Sequence, residues 1–204
     1  MSELEKKLEA AIWSAKTLFQ KGVVSGSTGN ISFVHNQVMY ISRSGSCFGR
    51  LCHDDFAQLD LQGNILQGRP SKEFPIHLAL YQTGDEYTAI IHTHSFYSTI
   101  LSCYKDTEFH LKNLFSYTPY LYMMTKGKIQ CVEYAAPGSE ALFQQFKEKI
   151  ETHTQMFVLK NHGIVACTED MYKAYNLIEE MESSAHTYEI LKNCSDKDIN
   201  FIAN

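Results

Sequence analysis

The chain has 204 residues, 44% of them hydrophobic and 20% charged, a composition typical of a globular protein with one large core. Its formal net charge is −5 and its lysines are dispersed, which argues against the basic surface that nucleic-acid binding requires. No apolar segment is long enough to span a bilayer. We therefore expect a single domain over residues 1–204 that binds neither nucleic acid nor a membrane.

The first predicted element is an amphipathic helix over residues 3 to 21. It differs from a signal peptide because charged residues stand between its apolar positions in the sequence. Apolar residues recur at helical spacing at Leu4, Leu8, Ile12, Ala15 and Phe19. The six cysteines form no Cys-x-x-Cys pair, which favours reduced thiols and disfavours cysteine-bound zinc. A cytoplasmic location follows as an expectation.

The middle of the chain predicts short strands and one helix. A Gly-rich turn, GVVSGSTGN, leads into ISFVHNQVMYIS, whose alternation predicts an antiparallel hairpin around Asn36-Gln37. A helix is predicted from Pro75 to Gln82, followed by a strand over residues 88 to 94.

The carboxyl-terminal half alternates strands with helices. The segments KIQCVEYA, MFVLK and GIVAC predict strands, and SEALFQQFKEKI predicts a helix. A long amphipathic helix is predicted from Asp170 to Lys192, capped by Thr168. Hairpin-joined strands with grouped helices indicate a layered α+β or α/β domain with a mostly antiparallel sheet. A doubly wound nucleotide fold is excluded because no Gly-x-Gly-x-x-Gly follows a first strand.

The stretch AIIHTHSFYST places His92 and His94 two residues apart at the end of an apolar strand. Side chains at i and i+2 share a face of a strand, about 6.6 Å apart, which suits two ligands of one ion. The alternative is that both rings simply bond to backbone or water. Ser95 is placed to cap a helix that follows.

A third imidazole comes from Lys160-Asn-His-Gly163, where a turn between two strands would place His162 at a sheet edge. Gly163 would permit a tight backbone, although a turn histidine is also a common surface residue. Three imidazoles with one open position describe a catalytic zinc site. His77 and His186 are interpreted as packing or solvent-exposed residues.

The segment PSKEFP places Ser71, Lys72 and Glu73 before a proline that suits the first turn of a helix. Its backbone amides could receive an anion, and Glu73 could complement the helix dipole or move a proton. Helix capping is the equal alternative. The loops SGSTGN and SRSGS could likewise be plain turns.

The motifs GSTGNIS, ISRSG, PSKE, HTHS and NHG, in this order, resemble the class II aldolase and adducin superfamily over nearly the whole chain. The resemblance implies a three-layer α/β/α domain with a central, mostly antiparallel sheet, and a cyclic homotetramer with active sites at subunit contacts. It implies that Zn²⁺, or another divalent metal such as Mn²⁺ or Co²⁺, is bound by His92, His94 and His162. Glu73 would be the catalytic acid/base, and would also ligate the metal when substrate is absent. The implied phosphate contacts are Asn30, Ser44, Gly45 and Ser71.

Two longer segments, SCFGRLCHDDFAQLDLQGNILQGRPSKEFPIHLALYQT and TPYLYMMTKGKIQCVEYAAPGSEAL, are similar to the 3-oxo-tetronate 4-phosphate decarboxylase branch. That branch implies decarboxylation to dihydroxyacetone phosphate and carbon dioxide through a metal-stabilised enediolate. Lys72 suits a substrate that carries both phosphate and carboxylate. Ser42-Arg43-Ser44 replaces the commoner T-P-T and Ser71 the commoner Thr, which leaves the sugar acid open.

Other activities remain open. A sugar-phosphate aldolase of the L-fuculose or L-ribulose phosphate type is the main alternative. A methylthioribulose phosphate dehydratase and a non-catalytic adducin-like module are less favoured, because a scaffold has no reason to keep three metal-type histidines with an acid. Tyr120, or else Tyr117, is a candidate second proton donor that reaches a neighbouring subunit's site.

Overall fold

An eight-stranded sheet forms the centre of the molecule in this computed structural model, which describes residues 1–84, 86–195 and 197–202. The strands are β1 (Asn30–His35), β2 (Val38–Ser42), β3 (Phe56–Asp60), β4 (Ile65–Gln67), β5 (Ala89–Thr93), β6 (Ile129–Val132), β7 (Met156–Leu159) and β8 (Gly163–Thr168). Their order is β4-β3-β2-β1-β5-β8-β7-β6. The neighbouring pairs are antiparallel except β6 with β7.

Helices cover both faces of this sheet. They are α1 (Glu3–Gln20), α2 (Phe74–Tyr81), α3 (Phe96–Ser102), α4 (Thr107–Leu114), α5 (Tyr120–Thr125), α6 (Glu140–Glu148) and α7 (Met171–Leu191), with short 3-10 turns at Phe48–Arg50 and His53–Asp55. None of these described helices combines the length and the apolar character needed to cross a membrane.

The two faces of the sheet bury two separate apolar cores. Ala89 and Ile91 of β5 join the core beneath α1, α3 and α7, whereas Ile90 joins the core beneath α2 and α6. This alternation is the period-two pattern of a strand that is buried on both faces. The predicted α/β/α architecture with a mostly antiparallel sheet is therefore confirmed. That residues 1–204 form one domain stays a prediction.

The predicted hairpin is present as β1 and β2. Asn36 and Gln37 form its turn with φ angles of 50° and 62°, a left-handed pair that matches the twist of two-residue hairpins. The hairpin brings β1 beside β5, where Asn30 pairs directly with His92.

Several sequence predictions were wrong in detail. Thr168 does not cap α7: it ends β8, and the Asp170 carboxylate accepts from the backbone N–H groups of the first turn. Ser95 precedes α3 but makes no side-chain cap, because the Glu182 carboxylate accepts from the N–H groups there. The strands β3 and β4 and the helices α4 and α5 were not predicted. They are short, and β4 is exposed along its length.

Candidate active site

Two histidines lie at the carboxyl end of β5. His92 is buried, and its Nδ1–H donates to the carbonyl of Ile164 on β8 at 2.9 Å, so Nε2 is the ring nitrogen that faces away from that strand. His94 lies just past the strand, with its Nε2 3.0 Å from the Nε2 of His92. This hydrogen bond fixes the orientation of the His92 ring, so that Nε2 is the nitrogen that could bind a metal ion.

His162 reaches the same place from the turn between β7 and β8. The tight turn is made by Asn161, whose φ is 54°. The sequence suggested that Gly163 permits a tight backbone in this turn, but Gly163 does not adopt a left-handed conformation. A Cβ on Gly163 would lie 2.3 Å from the carbonyl oxygen of Thr93, so only glycine lets β8 approach β5 this closely.

Gly163→Ala is expected to push His162 away from His92 and His94, because the clash is with backbone. We expect a loss of about 1–3 kcal/mol in unfolding free energy and weaker Zn²⁺ binding, measured by chemical denaturation and metal titration. Gly22→Ala is the matched control: Gly22 has φ of +73° with open space around it, so the variant is strained but keeps its metal affinity. Equal metal affinity in both variants would show that the close approach does not position His162.

Glu73 completes the cluster from the residue before α2. Its Oε2 lies 3.2 Å from His92 Nε2, and its Oε1 lies 3.2 Å from His162 Nε2. The ligand atoms of Glu73, His92, His94 and His162 all lie within 4.8 Å of one another. One ion could therefore contact all four side chains.

The donor set suits a divalent metal. Glu73 Oε1 and both ring nitrogens of His162 are buried without a hydrogen-bond partner among the described residues, although Oε1 and Nε2 are close. Unpaired buried polar atoms are costly unless something else satisfies them. Three imidazoles and one carboxylate are ligands that Zn²⁺ accepts. The four side chains therefore fit the metal that the sequence predicts.

The cluster strongly shifts the protonation of its members. Burial alone would raise the pKa of the Glu73 carboxyl, but the adjacent charge of His92 and the close approach of both His162 and His92 hold it well below its usual range. Burial likewise opposes the charged form of His92, and Glu73 outweighs it and raises the pKa of that ring. Burial and the neighbouring histidines lower the pKa of His94 to about 3.

Metal binding is expected to weaken as the pH falls. Below the raised pKa of His92, a metal ion must displace the proton that Glu73 stabilises on this ring. Each displaced proton changes the affinity about tenfold per pH unit. Zn²⁺ titrations against a competing chelator between pH 5.5 and 8 should therefore show an affinity that rises with pH. A constant affinity over this range would contradict the assignment of His92 as a ligand.

A cleft of about 340 Å³ opens beside the cluster. Glu73, His94 and His162 are part of its lining, together with the predicted substrate contacts Asn30, Ser44, Gly45, Ser71 and Lys72. Arg43 also lines the cleft, and its buried Nε has no hydrogen-bond partner in the part of the chain that the structure describes. Hydroxyls, loop backbone and two cations thus surround a space that suits an anion.

The predicted site residues come together with one exception. Tyr120 begins α5, is 62% exposed, and is absent from the cleft lining within residues 1–84, 86–195 and 197–202. Sequence reasoning missed the role of Asn30 as a donor to Glu73 at 3.1 Å, and it took His77, which is fully buried, for a packing or exposed residue. The i, i+4 spacing of Glu73 and His77 could have suggested that His77 lies on the same side of α2 as Glu73.

The fold and the cluster together define an α/β/α protein with a possible metal site beside an anion-suited cleft. The chain belongs to the class II aldolase and adducin family, since the family profile described as the Class II Aldolase and Adducin N-terminal domain matches residues 9–188.

Similar proteins carry two kinds of name. The chain is 34% identical to the 3-oxo-tetronate 4-phosphate decarboxylase of Haemophilus influenzae over 190 residues, 92% of this chain and 89% of the relative. It is 36% identical to the L-fuculose phosphate aldolase of Methanococcus maripaludis over 178 residues, 87% of this chain and 93% of the relative. The crystal structure of YgbL from Klebsiella pneumoniae superposes with a TM-score of 0.88 and 30% identity, covering 100% of this chain and 96% of that one.

Proposed function

We propose that this protein is a metal-dependent carbon–carbon lyase that decarboxylates a 3-oxo-tetronate 4-phosphate to dihydroxyacetone phosphate and carbon dioxide. The observation that carries the proposal is the position of the Glu73, His92, His94 and His162 cluster beside a cleft that Arg43 and Lys72 line. A relative with this activity matches 92% of the chain, which supports the choice of reaction.

The substrate carries two anionic groups, and the cleft has features for both. Ser44, Gly45 and Ser71 are proposed to hold the phosphate through hydroxyl and backbone donors. Lys72 and Arg43, which both line the cleft, would add positive charge for the carboxylate. Phosphate binding would thus fix the reacting end of the substrate near Glu73.

The reaction breaks the bond between the carboxylate carbon and the carbon beside the ketone. The electron pair of that bond moves toward the ketone and gives an enediolate, and the carboxylate leaves as carbon dioxide. A bound divalent metal would supply Lewis-acid stabilisation of the developing oxyanion. Glu73 is proposed to take up one proton and deliver it to the carbon that carbon dioxide leaves, which completes dihydroxyacetone phosphate.

An aldolase is the second candidate, because a relative with 36% identity bears that name. The same enediolate would then form by loss of an aldehyde, and Glu73 would move the proton of the substrate hydroxyl. The two reactions differ in the fragment that leaves, so the same site suits either.

The experiment is a product assay on purified, Zn²⁺-loaded protein. We expect carbon dioxide and dihydroxyacetone phosphate from a 3-oxo-tetronate 4-phosphate, and much slower aldehyde release from L-fuculose 1-phosphate or L-ribulose phosphate. If aldehyde release is the faster reaction, the proposed activity is wrong and the protein is an aldolase. Loss of water from methylthioribulose phosphate without carbon–carbon cleavage would identify a dehydratase instead of a decarboxylase or an aldolase. Inactivity on all four compounds would contradict the assignment as a lyase.

The proposal includes a homotetramer in the cytoplasm, with Tyr120 as a second proton donor in a neighbouring subunit's site. The exposure of Tyr120 and Met123, 62% and 67%, supports a contact made by α5. The free thiols of the six cysteines agree with a reducing compartment. These assignments stay predictions.

A further inference from the structure

A chain of buried hydrogen bonds leads from the metal cluster into the core beneath α2. Asn30 Nδ2 donates to Glu73 Oε2 at 3.1 Å, and Asn30 Oδ1 lies 2.5 Å from His77 Nε2. His77 Nδ1 lies 2.6 Å from Ser32 Oγ, which in turn is 2.7 Å from the hydroxyl of Tyr81. All five residues are at most 9% exposed.

Two periodicities bring these residues together. Asn30 and Ser32 are i and i+2 on β1 and so share the face of the sheet that α2 covers. His77 and Tyr81 are i and i+4 on α2 and so share the face that meets the sheet. Polar residues of the strand and of the helix therefore alternate along the series of hydrogen bonds, and His77 lies between Asn30 and Ser32.

The Glu73 carboxylate determines which atom donates and which accepts in every hydrogen bond of this series. An ionised carboxylate only accepts, so Asn30 must turn its NH₂ group toward Glu73 and its oxygen toward His77. His77 Nε2 must then carry the hydrogen, and its Nδ1 must accept from Ser32. The Ser32 oxygen in turn accepts from the Tyr81 hydroxyl. Only one arrangement of protons satisfies all five groups.

His77 keeps this arrangement because it stays neutral. Burial, with a smaller effect of the nearby His92 charge, lowers the pKa of His77 to about 3. A neutral ring has one donor and one acceptor nitrogen, and the chain uses both. The full pairing also removes the cost of burying these polar groups.

We propose that His77 is a positioning residue, which holds the Asn30 amide so that its NH₂ group faces Glu73 and the cleft. Among the described residues, the His77 ring bonds to Asn30 and Ser32 and is not part of the cleft lining, so it would act through Asn30, which lines the cleft. Without the Nε2–H of His77, the Asn30 amide can rotate and present its oxygen to Glu73. The proton that Glu73 moves would then be misplaced, so this inference rests on the proposed function.

The test compares His77→Gln with His77→Leu in the metal-loaded protein. Gln offers an N–H to Asn30 and an oxygen to Ser32, whereas Leu has a similar size and neither group. We expect His77→Leu to lower kcat about 10- to 100-fold, with KM and metal content little changed and activity largely restored in His77→Gln. Tyr87→Phe is the control, because it removes another buried hydrogen bond, from Tyr87 to the carbonyl of Thr154.

A second readout is independent of activity. Nitrogen-15 NMR of labelled histidines should show His77 as the neutral Nε2–H tautomer, assigned by the signal that disappears in His77→Gln. The Nδ1–H tautomer would overturn the inference, as would equal kcat losses in His77→Leu, His77→Gln and Tyr87→Phe. If the wild-type protein turns over none of the proposed substrates, the proposed function fails and the tautomer alone decides the inference.

Discussion

Replacing His92 or His94 with alanine is expected to remove most of the bound metal. Wild-type protein should hold about one Zn²⁺ per chain, since a catalytic site uses three protein ligands and leaves one position open. Each variant deletes one of the nitrogens that lie within 4.8 Å of the others, and leaves too few ligands to hold the ion tightly. Elemental analysis after dialysis against a chelator measures the loss, and activity should disappear with the metal.

The matched control is His53→Ala. His53 is 49% exposed in its side chain and pairs with Glu9 on the surface, so its loss should leave metal content unchanged. Full occupancy in both His92→Ala and His94→Ala would refute the metal centre and with it the Lewis-acid chemistry. Loss in all three variants would instead indicate nonspecific binding to histidine.

Glu73→Gln is expected to abolish turnover while substrate still binds. Gln has the size of Glu and can keep an oxygen for the Asn30 amide, but it does not take up and deliver a proton. Loss of general acid–base catalysis costs about 10²- to 10⁴-fold in kcat, with KM changed little. Steady-state kinetics on the best substrate of the product assay measure this, and zinc content is checked in the same samples.

The control for this variant is Glu133→Gln. The Glu133 side chain is 67% exposed and pairs with Lys160 outside the cleft. The variant therefore makes the same change, from carboxylate to amide, away from the site. Near wild-type kcat in Glu73→Gln would remove Glu73 from the mechanism. A fall in zinc content equal to the fall in kcat would make Glu73 a ligand rather than the proton carrier.

Local patterns were sufficient to predict much of the fold. The continuous apolar run at residues 89 to 91 predicts a strand with two buried faces, and Ile90 and Ile91 do enter opposite cores. The left-handed pair Asn36-Gln37 and the long stripe of α7 were also readable, because each signal lies within one element. The short strand β4 was missed because its residues are exposed and have no apolar alternation to detect.

The sequence by itself determined the candidate ligands, since the order of the motifs that contain His92, His94, His162 and Glu73 resembles that of the class II aldolase and adducin superfamily. Only the tertiary structure decided that these four side chains meet, because the order β1-β5-β8 brings together residues from distant parts of the chain. The close contacts of Gly29 with the His92 carbonyl and of Gly163 with the Thr93 carbonyl make that approach possible. Periodicity places Asn30 on one face of β1 and His77 on one face of α2, but only the tertiary structure decided that Asn30 links Glu73 to His77, because these hydrogen bonds depend on how the strand and the helix pack together.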